Sequence, residues 1–207
     1  MTLARYFDPI WGQGEDPFGY RSRWYEARKR ELLLAMLPRP RFARAWEIGC
    51  ANGELTAALA TRCDALLGTD LHPRALAVAR QRCAGLPQVR FARMEHPRQW
   101  PDGSFDLVVV GEMGYYLDAP ALEAFATRLH ASLQPGAVLL ACHWRADFDG
   151  RRSATGDVHA RLGAIAGLQP QAHYEDADFL LDCWSSDTTR RMLRQCQRAA
   201  VVHRPRW

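Results

Sequence analysis

Residues 45–56, AWEIGCANGELT, leave an apolar stretch through a two-glycine turn and enter a segment with helical spacing. Gly49 and Gly53 permit positive φ and close approach of backbone to a ligand, with Cys50, Ala51 and Asn52 between them. Asp70 ends the next apolar stretch, about 20 residues on, where a carboxylate can accept two hydrogen bonds from a ribose diol. Turn, spacing and acid together point to a nucleoside. A dinucleotide fingerprint needs a second glycine at the position of Ala51, so that backbone can approach a pyrophosphate. Glu47, inside the apolar stretch, is poorly placed beside a diphosphate and well placed beside a cation. S-adenosylmethionine meets these conditions, having no phosphate, a sulfonium, an ammonium and a ribose for Asp70.

A second set of groups follows later apolar stretches: Glu112 in GEMGYY, His143 in CHWR, and Asp157 with His159 in GDVH. Methyl transfer from a sulfonium is an in-line displacement, governed by alignment. Where the acceptor is an amine it must be neutral to attack, and a carboxylate can both attract its ammonium form and take its proton. Glu112 is therefore the first catalytic candidate, followed by His143 and Asp157. Each has a structural alternative: a cap or surface acid for Glu112, a hydrogen-bonding histidine for His143, a helix N-cap for Asp157. Tyr115, Tyr116 and Trp144, with His159, are the candidates for holding a substrate, since aromatic faces pack on rings.

The elements that position these groups alternate. Residues 25–37 place Leu32, Leu33, Met36 and Leu37 on one helical face and charge on the other, and Pro38 closes the helix. RAWEIG, ALLGTD, VRFARM, SFDLVVVGE and GAVLLACHW read as strands. ELTAALATRC, the segment from Pro73, and APALEAFATRLHASL read as helices. Continuous apolar runs such as DLVVV indicate strands covered on both faces. The alternation predicts an α/β fold with a doubly wound, mostly parallel sheet, whose ligands bind outside the carboxyl ends of the strands.

EIGCANG with Asp70 resembles motif I and the acidic motif of class I S-adenosylmethionine-dependent methyltransferases. The resemblance implies a Rossmann-like, seven-stranded sheet of order 3-2-1-4-5-7-6, with Met94 and Glu95 at the adenine and Leu71 and Gly111 lining the cofactor site. DPFGYRSRWYEARKRELLLAMLP, GEMGYYL, HWR, GDVHARL and DFLLDCW further resemble the nodulation protein S group, which N-methylates a free amino group of deacetylated chitin oligosaccharides. Phe18 departs from that group, where tryptophan is expected. The resemblance also implies that residues 1–40 form a lid, with Tyr25 and Arg28 on its helix, and that Arg28 pairs with the cofactor's carboxylate. It spans about residues 6–186, leaving 187–207 as a basic tail.

Composition bounds the alternatives. With 207 residues, 48% hydrophobic and 24% charged, the chain suits one globular domain. The net charge of +4 is mild, and the one dense basic cluster lies in the tail without interleaved aromatics, so no nucleic-acid partner is expected. No apolar run suits a bilayer or a signal core, and the six cysteines form no metal-type pair. A cytoplasmic monomer or homodimer without a metal is expected, its partner a small-molecule or oligosaccharide substrate. O- or C-methylation, NAD(P)-dependent oxidoreduction and a silent S-adenosylmethionine-binding module remain the competing functions.

Overall fold

The computed structural model describes residues 2–187; the arginine-rich stretch beyond lies outside them. The chain runs α1 (Leu3–Trp11), α2 (Trp24–Met36), β1 (Ala45–Ile48), α3 (Glu54–Ala60), β2 (Leu66–Asp70), α4 (Pro73–Arg82), β3 (Val89–Arg93) and β4 (Phe105–Gly111). A 3₁₀ turn (Gly114–Tyr116), α5 (Ala119–Ser132), β5 (Leu133–Trp144), α6 (Thr155–Gly163), β6 (Gln169–Glu175) and β7 (Phe179–Ser185) follow. The seven strands form one sheet of order β3-β2-β1-β4-β5-β7-β6, as the family resemblance implies. β7 alone runs antiparallel to its neighbours β5 and β6. The carboxyl ends of β1, β2, β4 and β5 therefore share one edge.

Strand alternation divides the core into two layers. Trp46 and Ile48 of β1 join Val108, Val110, Phe125 and Leu129 on one face, under α5 and α6. Ala45 of β1 joins Leu107, Val109, Leu33, Leu37 and Leu59 on the other, under α2 and α3. The Trp46 indole donates to Thr69 Oγ1 at 3.0 Å, so its buried N–H is satisfied.

Three local details differ from expectation. α1 is a helix that the hydrophobic spacing did not mark; it contains Pro9, and its N-cap Thr2 accepts from the Arg5 amide. β5 begins at Leu133 rather than Gly136, because Leu133 pairs with Phe105 before a register shift. The inward stripe of α2 is not purely apolar: Glu26 and Lys29 are buried with Leu33, whereas Leu32 and Met36 are half-buried.

Glu47 is 1% exposed and faces α3, where its Oε2 accepts from Thr56 Oγ1 at 2.5 Å. Burial pushes its carboxyl up to about 8 against the restraining Thr56 bond. The native state thus holds a proton that the unfolded chain, near 4.5, releases. Stability should fall as pH rises from about 4.5 to about 8. Urea unfolding of Glu47→Gln at pH 5 and pH 8 should show this part of the slope removed; an unchanged slope would mean that Glu47 is already ionised in the fold.

Candidate active site

The β1–α3 turn departs from ordinary backbone at three positions: Gly49 (φ 81°), Ala51 (φ 47°) and Gly53 (φ 81°). A Cβ at Gly49 would stand 2.7 Å from the Gly111 carbonyl oxygen and 3.3 Å from Met113 Cβ, so the turn is pressed against the end of β4. Ala51 holds the left-handed conformation without glycine's freedom, a local strain of about 1 kcal/mol. The half-buried Asp70 spans the two strand ends. Its Oδ2 accepts from the Ala51 amide at 3.0 Å and its Oδ1 from the His72 amide at 2.8 Å. Burial raises the Asp70 carboxyl against these two amides. Asn52 donates from Nδ2 to Asp16 at 2.9 Å, tying the turn to the segment between α1 and α2.

A cavity of about 600 Å³ opens at this edge. Gly49, Ala51, Asp70, Leu71, Met94, Glu95 and Gly111 line one part, as do Glu112, Tyr115, Tyr116 and Trp144. Glu47, Cys50 and Asn52 border a smaller adjoining space of about 60 Å³ under α2. The roof comes from α1 and the following segment. Tyr6 and Phe7 pack on Tyr116, Trp11 stacks on His72, and Phe18 meets Trp11 edge-on. Acidic wall residues (Glu26, Asp70, Glu95, Glu112 and Asp178) outnumber basic ones (Arg23 and Lys29), which favours a cation over a polyphosphate.

Glu112 is the most constrained of the acids. Its φ is 52°, and both carboxylate oxygens are occupied. Lys29 Nζ donates to Oε1 at 2.7 Å; Tyr115 Oη, at 2.6 Å, and the Trp144 amide, at 2.8 Å, donate to Oε2. Lys29 also pairs with Glu26 at 3.0 Å and lies 4.9 Å from the Tyr25 ring centroid. Burial works against the Lys29 charge, but Glu112 and Glu26 outweigh it and hold the ammonium well above its usual range. Lys29 and Glu26 were not among the residues expected at the site. The available signal was the register: Lys29, Leu33 and Leu37 form one i, i+4, i+8 stripe.

Gly53 borders neither space, and four further expected site residues lie off the cavity wall. Arg28 donates to Asp176 Oδ2 at 2.7 Å and to Tyr174 Oη, so its guanidinium is engaged by the β6–β7 hairpin. His143 is fully buried, and its Nε2 accepts from the Gly114 amide at 3.0 Å. His159 is buried behind it, within 2.9 Å of His143 Nδ1. Asp157 is exposed in the first turn of α6, whose N-cap is Ala154, so it neither caps the helix nor reaches the cavity.

The walls fit S-adenosylmethionine. Each Asp70 oxygen holds one amide and retains capacity for a further donor. Gly49 borders the cavity with bare backbone. Tyr25 Oη and His96 Nδ1, both on cavity-lining residues, are buried without a hydrogen-bond partner. Among the described residues no cluster suits a metal ion, and no helix is long and apolar enough to cross a membrane.

Comparison with known proteins agrees with this geometry. A family model described as a methyltransferase domain matches residues 45–136. Nodulation protein S of Bradyrhizobium diazoefficiens is 30% identical over 157 residues, 75% of this chain and 70% of that protein. Its counterpart in Sinorhizobium fredii is 32% identical over 123 residues, 58% of this chain and 57% of that protein, so the chain spans less than two thirds of that relative's length. Among solved structures, a protein from Pseudomonas syringae provisionally assigned as a methyltransferase is 45% identical, with TM-score 0.71, covering 79% of this chain and 99% of its own. The N-methyltransferase NodS of Bradyrhizobium japonicum, solved with S-adenosyl-L-homocysteine, shares the fold at TM-score 0.79 and 24% identity, covering 88% of this chain and 97% of its own. Turn, carboxylate, cavity and relatives converge: the chain belongs to the nodulation protein S-like group of class I methyltransferases, whose cofactor is S-adenosylmethionine.

Proposed function

We propose that this protein N-methylates a free amine, the amino group of a deacetylated chitin-type oligosaccharide. The observation that carries the proposal is the anionic cluster of Glu26 and Glu112 around one ammonium, on a cavity otherwise walled by aromatic side chains. Two carboxylates and one lysine leave the cluster one positive charge short, a deficit that an incoming ammonium meets. The resemblance to the nodulation protein S group, shared by the relatives of that name, implies an amino-sugar acceptor and supports this reading.

Bound S-adenosylmethionine supplies an electrophilic methyl group on a cationic sulfur. Asp70, with the Gly49–Gly53 turn, would hold the nucleoside, and Leu71, Met94 and Glu95 would contact its base. Glu26 and Glu112 attract the acceptor's ammonium, and Glu112 takes its proton before attack. Lys29 stays protonated, so it orients Glu112 rather than acting as the base. Tyr116 and Trp144, the latter 38% exposed at the rim, pack against the acceptor's ring. The setting is the cytoplasm, supported by five described cysteines that are all buried and unpaired.

Asp70→Ala should weaken S-adenosylhomocysteine binding by about 2–4 kcal/mol, roughly 30- to 1000-fold, in a calorimetric titration. An unchanged dissociation constant would remove Asp70 from the site. With glucosamine oligomers as acceptor, turnover should rise with pH as the ammonium deprotonates, and N-acetylated oligomers should give none. Glu112→Gln should lower kcat about 100-fold or more with little change in cofactor affinity. Turnover of phenols but not of amines would overturn the assignment.

A further inference from the structure

Behind the acceptor side of the cavity, four polar groups form a chain that ends at the sheet. The Gly114 amide donates to His143 Nε2 at 3.0 Å, and His143 Nδ1 lies 2.9 Å from His159 Nε2. His159 Nδ1 lies 2.7 Å from Asp182 Oδ2, and Asp182 Oδ1 takes a second contact, 2.7 Å, from His173 Nδ1. Neither His143, His159 nor Asp182 borders the cavity.

Both ends of this chain have fixed polarity, because a backbone N–H only donates and a carboxylate only accepts. His143 must therefore carry its proton on Nδ1 and donate it to His159 Nε2. His159 in turn carries its proton on Nδ1 and donates to Asp182. Only one arrangement of protons satisfies all three bonds, and it requires both imidazoles to be neutral. Burial, reinforced by the neighbouring His159, pushes His143 well below its usual pKa, in keeping with that neutral form. The chain also touches the turn sterically: a Cβ at Gly114 would stand 2.5 Å from Val158 Cγ1 and 3.0 Å from His143 Nε2. Gly114 opens the turn that continues into Tyr115 and Tyr116, two residues after Glu112 with its positive φ.

The geometry points to His159 and Asp182 as positioning residues: through His143 they fix the Gly114 amide, and with it the turn that presents Glu112, Tyr115 and Tyr116 to the acceptor. The assignment of that turn to the acceptor rests on the function proposed above; the anchoring itself does not. Without an acceptor at position 182, the Nδ1–H of the buried His159 is left unpaired, and its ring is no longer held from the sheet side. A His159 ring that turns to find another acceptor gives up the bond from His143 Nδ1, and His143 then loses the orientation that holds its Nε2 to the Gly114 amide.

Asp182→Leu and Asp182→Asn separate this role from packing. Asparagine keeps an oxygen for His159, while His173, with a side chain 59% exposed, is free to change tautomer and accept from the new amide. Asp182→Leu should accelerate hydrogen exchange in a peptide spanning residues 112–118 and lower kcat on glucosamine oligomers by about 10- to 100-fold. Its S-adenosylhomocysteine affinity should stay close to wild type. Asp182→Asn should retain both wild-type exchange and wild-type kcat. If the leucine variant does not fold, His159→Phe breaks the same chain and should give the same exchange increase. Unchanged exchange at 112–118 in the folded variants that break the chain would overturn the inference, as would equal damage from Asp182→Asn and Asp182→Leu. A wild-type protein that binds S-adenosylhomocysteine but methylates no amine would instead overturn the function, with the exchange measurement still deciding the anchor.

Discussion

The contact between Lys29 and Glu112 joins the two halves of the cavity. α2 reaches the carboxyl end of β4 through it; without Lys29 the Glu112 carboxylate would lose its cationic partner, and without Glu112 Lys29 would keep only Glu26. Glu112 can meet Lys29 because its left-handed backbone swings the carboxylate toward α2, where Tyr115 and the Trp144 amide secure its second oxygen. The N-terminal roof then rests on a base tied to three elements. α1 leans on it from both sides, through Trp11 on His72 and through Tyr6 and Phe7 on Tyr116.

Backbone strain gathers at the same place. Among the described residues, Ala51 and Glu112 are the two non-glycine positions with positive φ, and both border the cavity. Such conformations persist only where the surroundings over-determine them. Ala51 is held by its amide on Asp70, and Glu112 by its amide on the Cys142 carbonyl at 2.9 Å together with its three side-chain contacts. Strain at the ends of β1 and β4, neighbouring strands, shapes the edge where ligands of doubly wound sheets bind.

The alternation of strands and helices, the glycine turn and Asp70 were legible because each rests on local pattern: apolar runs, glycine spacing and an acid at a strand end; the order of the strands came only from the family resemblance. Lys29, Arg28 and the histidines were not, because their roles depend on partners far along the chain. Arg28 and Lys29 are sequence neighbours on one helix, yet 100° of helical rotation sends one to Asp176 and the other to Glu112. His143 closes an apolar strand as expected, but the parity of β5 turns its ring inward, under the turn rather than into the cavity. Asp157 looked like a cap because GDVH opens a helical pattern; the helix begins two residues earlier, at Thr155.

The basic residues carry one further consequence. Of 27 lysines and arginines, Lys29 is the only lysine. An arginine guanidinium stays protonated and is a poor nucleophile. The single side-chain amine is buried between two carboxylates that keep its lone pair occupied by a proton. A catalyst for methylating amines would thus hold an amine against its own reaction centre without being its own substrate. The ion pair that shapes the pocket would also protect the enzyme from the alkylating agent it binds.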